Sequence, residues 1–164
     1  MGTRRKNQMH TDHGSGIRTA ASLAGAFLAG VGMALAWGAV SALLHPERWF
    51  PDTVLAGLFS QPLQIQIALY GIVSPVLEEF LFRLLLFDLV KRFAGEKAGT
   101  WIVSALFALW HGNVLQMLYA FPAGLILQKL RSRSGRMEVP ILCHIGANLT
   151  AILISSFMRQ AFPA

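Results

Sequence analysis

Ser74-Pro75-Val76-Leu77-Glu78-Glu79-Phe80-Leu81-Phe82-Arg83 lies inside an apolar run that begins near Leu63 and ends at Lys91-Arg92. Three ionisable side chains in the middle of such a run are poorly explained by packing. A charge near the centre of a bilayer costs roughly 2.5 kcal/mol or more even on the most lenient insertion scale. Side chains of this kind line a cavity and have polar partners. The stretch therefore predicts a membrane helix facing a polar interior, and the remaining sequence must supply what meets it there.

The 164 residues are 54% hydrophobic and 13% charged, with a mean hydropathy of +0.52. Soluble domains carry about 25% charged residues, so the composition is that of a membrane protein with one compact helical domain and no separate soluble one. The formal net charge is +6, but the cations do not line a helix face with interleaved aromatics, which excludes nucleic acid as a partner. They gather in three hydrophilic patches, Arg4/Arg5/Lys6/Arg18, Lys91/Arg92/Lys97 and Lys129/Arg131/Arg133/Arg136. Such patches mark cytoplasmic loops beside membrane spans. Cys143 is the single cysteine, so no intrachain disulfide forms and the redox compartment is not revealed. Cys143 and His144 point about 100° apart on a helix, which favours a small packing residue over a metal pair.

The expected architecture is all-α: a polytopic membrane bundle of about five membrane-embedded helices, some short or kinked around a polar cavity. Residues 1–16 are polar and read as a disordered cytoplasmic tail, followed by a single transmembrane domain over 17–160. The first span covers about 17–44. A basic start and Ala34-Leu35-Ala36 resemble a signal peptide, but the apolar run exceeds the roughly 7–15 residues of such a segment. It is therefore expected to be retained. Gly25, Gly30, Gly32 and Gly38 would admit a close helix neighbour, or simply face lipid.

His45 to Asp52 reads as a loop on the far side, with Trp49 and Phe50 in an interfacial belt, and Thr53 to Phe59 as an interfacial helix. The second span, about 63–92, has Pro75 at its middle, which removes a backbone hydrogen bond and frees a carbonyl one turn earlier, near Gly71. From Thr100 to Lys129 the chain must leave and regain one face in about 30 residues. That gives two arms of roughly 22 Å, short of a ~30 Å hydrocarbon core. A hairpin of short helices follows, broken at or after His111-Gly112-Asn113 or near Phe121-Pro122. The last span runs near 138–158.

Glu79 and Arg83 are four apart, share a helix face and can pair, a structural role. Glu78 points about 100° away, and nothing is evident on its own face to neutralise it. His111 follows Phe107 by four on an apolar stretch, where a core histidine and a functional one are both open readings. His144 and Asn148 again share a face, as catalytic groups or as helix–helix glue worth about 0.6 kcal/mol. Depth favours a common site. Counted from the basic loops, Glu78, His111, His144 and Asn148 lie roughly 12–21 Å below the same face. Independent glue residues have no reason to share a level.

Glu78-Glu79-x-x-x-Arg83, Phe107-x-x-x-His111 and His144-x-x-x-Asn148, in this order, resemble the three motifs of the CAAX protease and bacteriocin-processing enzyme family. Its members are intramembrane endopeptidases, bacterial relatives of the type II prenyl-protein protease. The resemblance covers about residues 62–160, and Pro75 and the Gly135 loop also match the family's appearance. It implies that Glu78 and His111 activate water, that His144 and Asn148 steady the tetrahedral oxyanion, and that Glu79 and Arg83 support the first motif. It further implies a glutamic-type peptide hydrolase without a cofactor, acting on a membrane-tethered peptide or protein such as a leader peptide, bacteriocin precursor or sorting tail. The chain is short, with few helices before the first motif, which leaves substrate recognition outside what the motifs imply.

The chemistry is consistent on its own terms. A buried glutamate is tuned toward a general base, and neutral His and Asn donors stabilise an oxyanion in a dry site. Other classes stay open on the residues alone. Zinc held by Glu78, His111 and His144 would make a metalloprotease. His111 and His144 could be axial haem ligands. A non-enzymatic immunity or assembly subunit could carry the same fold. Counting of positive charges places the N-terminus in the cytoplasm and the C-terminus outside, in the plasma membrane, bacterial by the family's distribution.

Overall fold

The computed structural model describes residues 3–45 and 60–161, with backbone alone for 3–18 and 20. The expected loop at 46–52 and interfacial helix at 53–59 lie outside the described residues. The described elements are all helices, with no strand among the described residues. Helix α1 spans Thr3–Leu44, α2 is a tract over 63–110 that doubles back on itself, α3 spans Val114–Ser134 and α4 spans Glu138–Ala161. The backbone of α1 is already helical within the stretch expected as a disordered tail. No proline interrupts it there, and a helix once nucleated propagates at little cost per residue.

Among the described residues there are four helical tracts, one of them, α2, made of two limbs, where about five membrane-embedded helices were expected. Two of them, Ala21–Leu44 and Glu138–Ala161, are long and apolar enough to cross a membrane. The difference lies in α2. Its two limbs, 63–94 and 96–110, are joined at the single residue Gly95, with φ 77° and ψ 170°. That conformation is open to glycine and strained for other residues, so no loop separates the limbs. They run antiparallel. Gly99 packs against the Lys91 backbone and the Phe87 ring, and the Phe82 and Phe107 rings meet edge to face at 5.2 Å. The second limb is about 15 residues, or ~22 Å, as short as the sequence requires.

The predicted hairpin breaks at the first of its two candidate sites. His111 and Gly112 end the second limb, with Gly112 at φ 66°. Asn113 then caps α3, its side-chain oxygen accepting from the Gln116 N–H at 3.1 Å. Pro122 does not break the chain and sits inside α3. It removes one backbone bond, a loss that membrane helices absorb.

Helices α1 and α4 form the most extensive contact among the described elements. Gly30 lies directly against the Cys143 carbonyl, and Gly146 against the Phe27 carbonyl, so a Cβ at either would collide with backbone. The two helices approach at reciprocal glycines, as membrane helices do. Gly25, Gly32 and Gly38 face open space, so of the four glycines considered only Gly30 makes the approach. Outside these contacts the surface is apolar, with Leu43, Leu77, Leu85, Phe93, Leu109, Trp110 and Phe157 all exposed. The interior is the reverse. Glu79, Arg83, Gln66, Ser104, Gln116, Gln128 and His144 are buried beside a small aromatic core of Phe82, Phe87 and Phe107. An apolar outside around a polar inside suits lipid as solvent.

Candidate active site

Two π-helical stretches, Gln66–Val73 and Phe80–Leu86, flank a short α-helix at Ser74–Glu79. Such wide turns are rare and concentrate at functional sites. Here the cause is local. The Ser74 N–H donates to Leu69 O, five residues back, and Pro75 has no N–H to offer. The Tyr70 carbonyl thereby loses both of its possible helical donors. Asn148 Nδ2 reaches across from α4 and donates to it at 2.9 Å. The freed carbonyl expected near Gly71 is thus displaced by one residue, because the wide turn shifts the register.

Glu79 is fully buried. Its Oε2 lies 3.2 Å from Arg83 Nε and its Oε1 lies 3.0 Å from His144 Nδ1. Arg83 stacks over Phe107, 4.5 Å from the ring centroid. Glu79 therefore does more than neutralise Arg83, the role expected of it. It accepts the Nδ1 proton of His144 and fixes the imidazole, as a carboxylate fixes a catalytic histidine. The other ring nitrogen, Nε2, then faces Glu78 Oε2 at 3.7 Å. One imidazole is held between neighbouring glutamates that leave the helix about 100° apart. The other oxygen of Glu78 accepts from Ser74 Oγ at 2.5 Å.

Ser74 is four residues before Glu78 and was overlooked as its partner. The same spacing rule that paired Glu79 with Arg83 would have found it. Glu78 borders a cavity of about 300 Å³ walled by Leu69, Val73, Leu77, Leu81 and Trp110, with Tyr70 and Ser74 as the other polar residues. One carboxylate thus faces an otherwise apolar space.

His111 stands at the end of the second limb, its Nδ1 donating to Phe107 O at 2.8 Å. That bond leaves Nε2 with its lone pair. Its ring meets Phe107 edge to face at 5.0 Å, and the His144 ring meets the same phenylalanine at 5.6 Å. Glu78, Glu79, Arg83 and His144 are brought into direct contact. His111 joins them across Phe107, and Asn148 through the Tyr70 carbonyl. Phe107 was noted in sequence only as the residue four before His111.

Among the described residues no three His, Cys, Asp or Glu side chains are gathered as a metal ion needs. His144 Nδ1 is engaged by Glu79 and His111 Nδ1 by a carbonyl. With Nδ1 so engaged, Nε2 is the ring nitrogen that each histidine presents to a further partner.

The chain is 27% identical over 94 residues to "Putative membrane peptidase YdiL" of Bacillus subtilis (strain 168), an alignment covering 57% of this chain and 38% of that protein. It is 30% identical over 134 residues to an "Uncharacterized 24.3 kDa protein" of Escherichia coli, covering 79% of this chain and 57% of the relative. The matches thus span between a third and three fifths of those relatives' lengths. No solved structure matches. The profile described as "Type II CAAX prenyl endopeptidase Rce1-like" matches residues 60–150, the span holding both glutamates, both histidines and Asn148. The chain belongs to the type II CAAX prenyl endopeptidase-like family.

Proposed function

We propose that this protein is an intramembrane endopeptidase of glutamic type that hydrolyses a peptide bond in a membrane-tethered peptide or protein. The observation that carries the reading is Glu78, a carboxylate on the wall of an apolar cavity with His144 Nε2 at 3.7 Å. A water beside Glu78 loses a proton to the carboxylate as its oxygen attacks the scissile carbonyl carbon. His111, with Nδ1 tied to Phe107 O, orients that water through Nε2. The carbonyl oxygen becomes an oxyanion. The second N–H of the Asn148 amide donates to it, as does the Nε2–H of a His144 imidazolium whose Nδ1–H is held by Glu79. Collapse breaks the C–N bond, and the proton on Glu78 passes to the leaving amine.

The apolar walls suit a substrate that arrives from the bilayer. The chain then sits in a bacterial plasma membrane with its N-terminus in the cytoplasm, and the cavity opens toward the cytoplasmic half. Tags at residues 1 and 164 should be accessible from opposite sides of the membrane. The direct test compares membrane peptides, by mass spectrometry, between cells carrying the wild type and Glu78→Gln. A full-length precursor should accumulate in the variant and its fragments appear in the wild type. Identical peptide sets would remove the hydrolase. Purified protein should cleave that precursor equally before and after chelation. Activity abolished by the chelator and restored by zinc would overturn the metal-free mechanism.

A further inference from the structure

The two basic turns of the chain meet. Below them the first limb of α2, the residues just after Gly95 and the end of α3 enclose a cavity of about 240 Å³, separate from the one at Glu78. Its cations are Arg83, Lys91 and Arg131, and its carboxylates are Asp88 and Glu96. Lys91 is already matched to Asp88 at 2.6 Å. Arg83 is paired with Glu79 through Nε alone. Arg83 is 1% exposed, and neither Nη1 nor Nη2 has a hydrogen-bond partner among the described residues. Its one close ionic contact is at Nε, and Phe107 covers its face. Gln128 is equally buried with Oε1 unpartnered, and the Nε of Arg131 is unpartnered as well.

Buried polar groups left without partners are costly, and more so when charged. Several such groups around one space are the mark of a missing polar ligand. Guanidinium groups match the oxygens of phosphate through paired N–H bonds. The cavity also lies at the helix ends, and its lining residues Glu96, Gln128, Ser132 and Gly135 are next in sequence to Lys97, Lys129, Arg133 and Arg136, the level at which basic pockets between membrane helices hold lipid headgroups. Asp88 and Glu96 limit the net positive charge, which favours a singly charged phosphodiester over a phosphate dianion.

We propose that this cavity is a binding site for the phosphodiester headgroup of a membrane phospholipid. Arg83 and Arg131 donate to the phosphate oxygens, and Ser132 and Gln128 supply neutral contacts. Glu96 at the mouth suits a headgroup that also carries an ammonium. The site does not depend on proteolysis and stands or falls by itself.

The test is thermal unfolding of the full chain in a non-ionic detergent. The additives are short-chain phosphatidylethanolamine, the diacylglycerol with the same chains, and inorganic phosphate. The phospholipid should raise Tm in a saturable way while the diacylglycerol leaves it unchanged. Arg131→Gln should raise the half-maximal lipid concentration by at least about tenfold, the scale of one charge-assisted contact. Gln128→Leu should weaken binding in the same direction and serves if the arginine variant does not fold. Equal stabilisation by diacylglycerol, or unchanged lipid dependence in a folded variant, overturns the site. Saturable stabilisation by inorganic phosphate at the same concentrations assigns it to a free anion and overturns the lipid.

Discussion

The cavities on the two sides of the first limb of α2 are opposites. One is walled by leucine, valine and tryptophan and holds a single carboxylate, Glu78. The other is walled by arginine, lysine, carboxylates and an amide, and reaches down to Arg83. Glu78 and Glu79 are neighbours in the chain, yet one borders the apolar cavity and the other is sealed against Arg83 and His144. A helix that turns about 100° per residue separates adjacent side chains into different surroundings. Identical carboxylates therefore stand in different surroundings: Glu78 on the wall of an apolar cavity, and Glu79 sealed into contact with Arg83 and His144.

That contrast can be broken. The largest expected effect is on catalysis at the apolar side. Glu78→Gln keeps the shape and the Ser74 contact, and should lower cleavage of the identified precursor by about 10³-fold or more, within the range for loss of a general base. The unfolding midpoint in detergent should hardly move. A variant that cleaves normally, or that fails to fold, would erase the distinction between the two glutamates.

Next in size is the buried side. Glu79→Ala leaves Arg83 without its counter-charge and should destabilise the protein by about 3 kcal/mol or more. Denaturant unfolding checks this. Replacing both partners, Glu79→Leu with Arg83→Met, should regain most of the stability while cleavage stays lost, because His144 is no longer oriented. A double variant as unstable as the single one would show that Arg83 is not what Glu79 neutralises.

A smaller effect tests where the bundle is joined. Gly30→Val should destabilise by about 1–3 kcal/mol through a collision with α4, and Gly25→Ala should stay within about 0.5 kcal/mol because nothing lies near it. Equal effects would contradict the contact at Gly30. Asn148→Ala should cost about 1–2 kcal/mol by orphaning the Tyr70 carbonyl. Its added loss of cleavage measures the contribution of its second N–H to the oxyanion.

Much of this was legible in the sequence. Three ionisable residues inside an apolar run announced a polar interior, and the i, i+4 spacings announced which side chains share a face. Arm length pointed to a break at His111-Gly112-Asn113 or near Phe121-Pro122, and the chain takes the first. Other features were not legible. Pro75 pointed to Gly71 as the freed carbonyl, but a regular helical register was assumed and the wide turn moved the defect to Tyr70. Four glycines in α1 looked equivalent, and only the packing partner distinguishes Gly30 from the rest. Glu79 looked like a plain ion pair because its second contact, His144, comes from a helix 65 residues away.

The sequence alone determined that this chain is a helical membrane protein with buried charge, since the cost of charge in hydrocarbon admits few alternatives. It also determined which residues are close along a helix, because that spacing is fixed by backbone geometry. Only the tertiary structure decided which nitrogen of His144 meets which glutamate, and that the two basic turns close over one cavity. Those contacts join helices distant in sequence, and short-range periodicity carries no record of how separate helices rotate against each other.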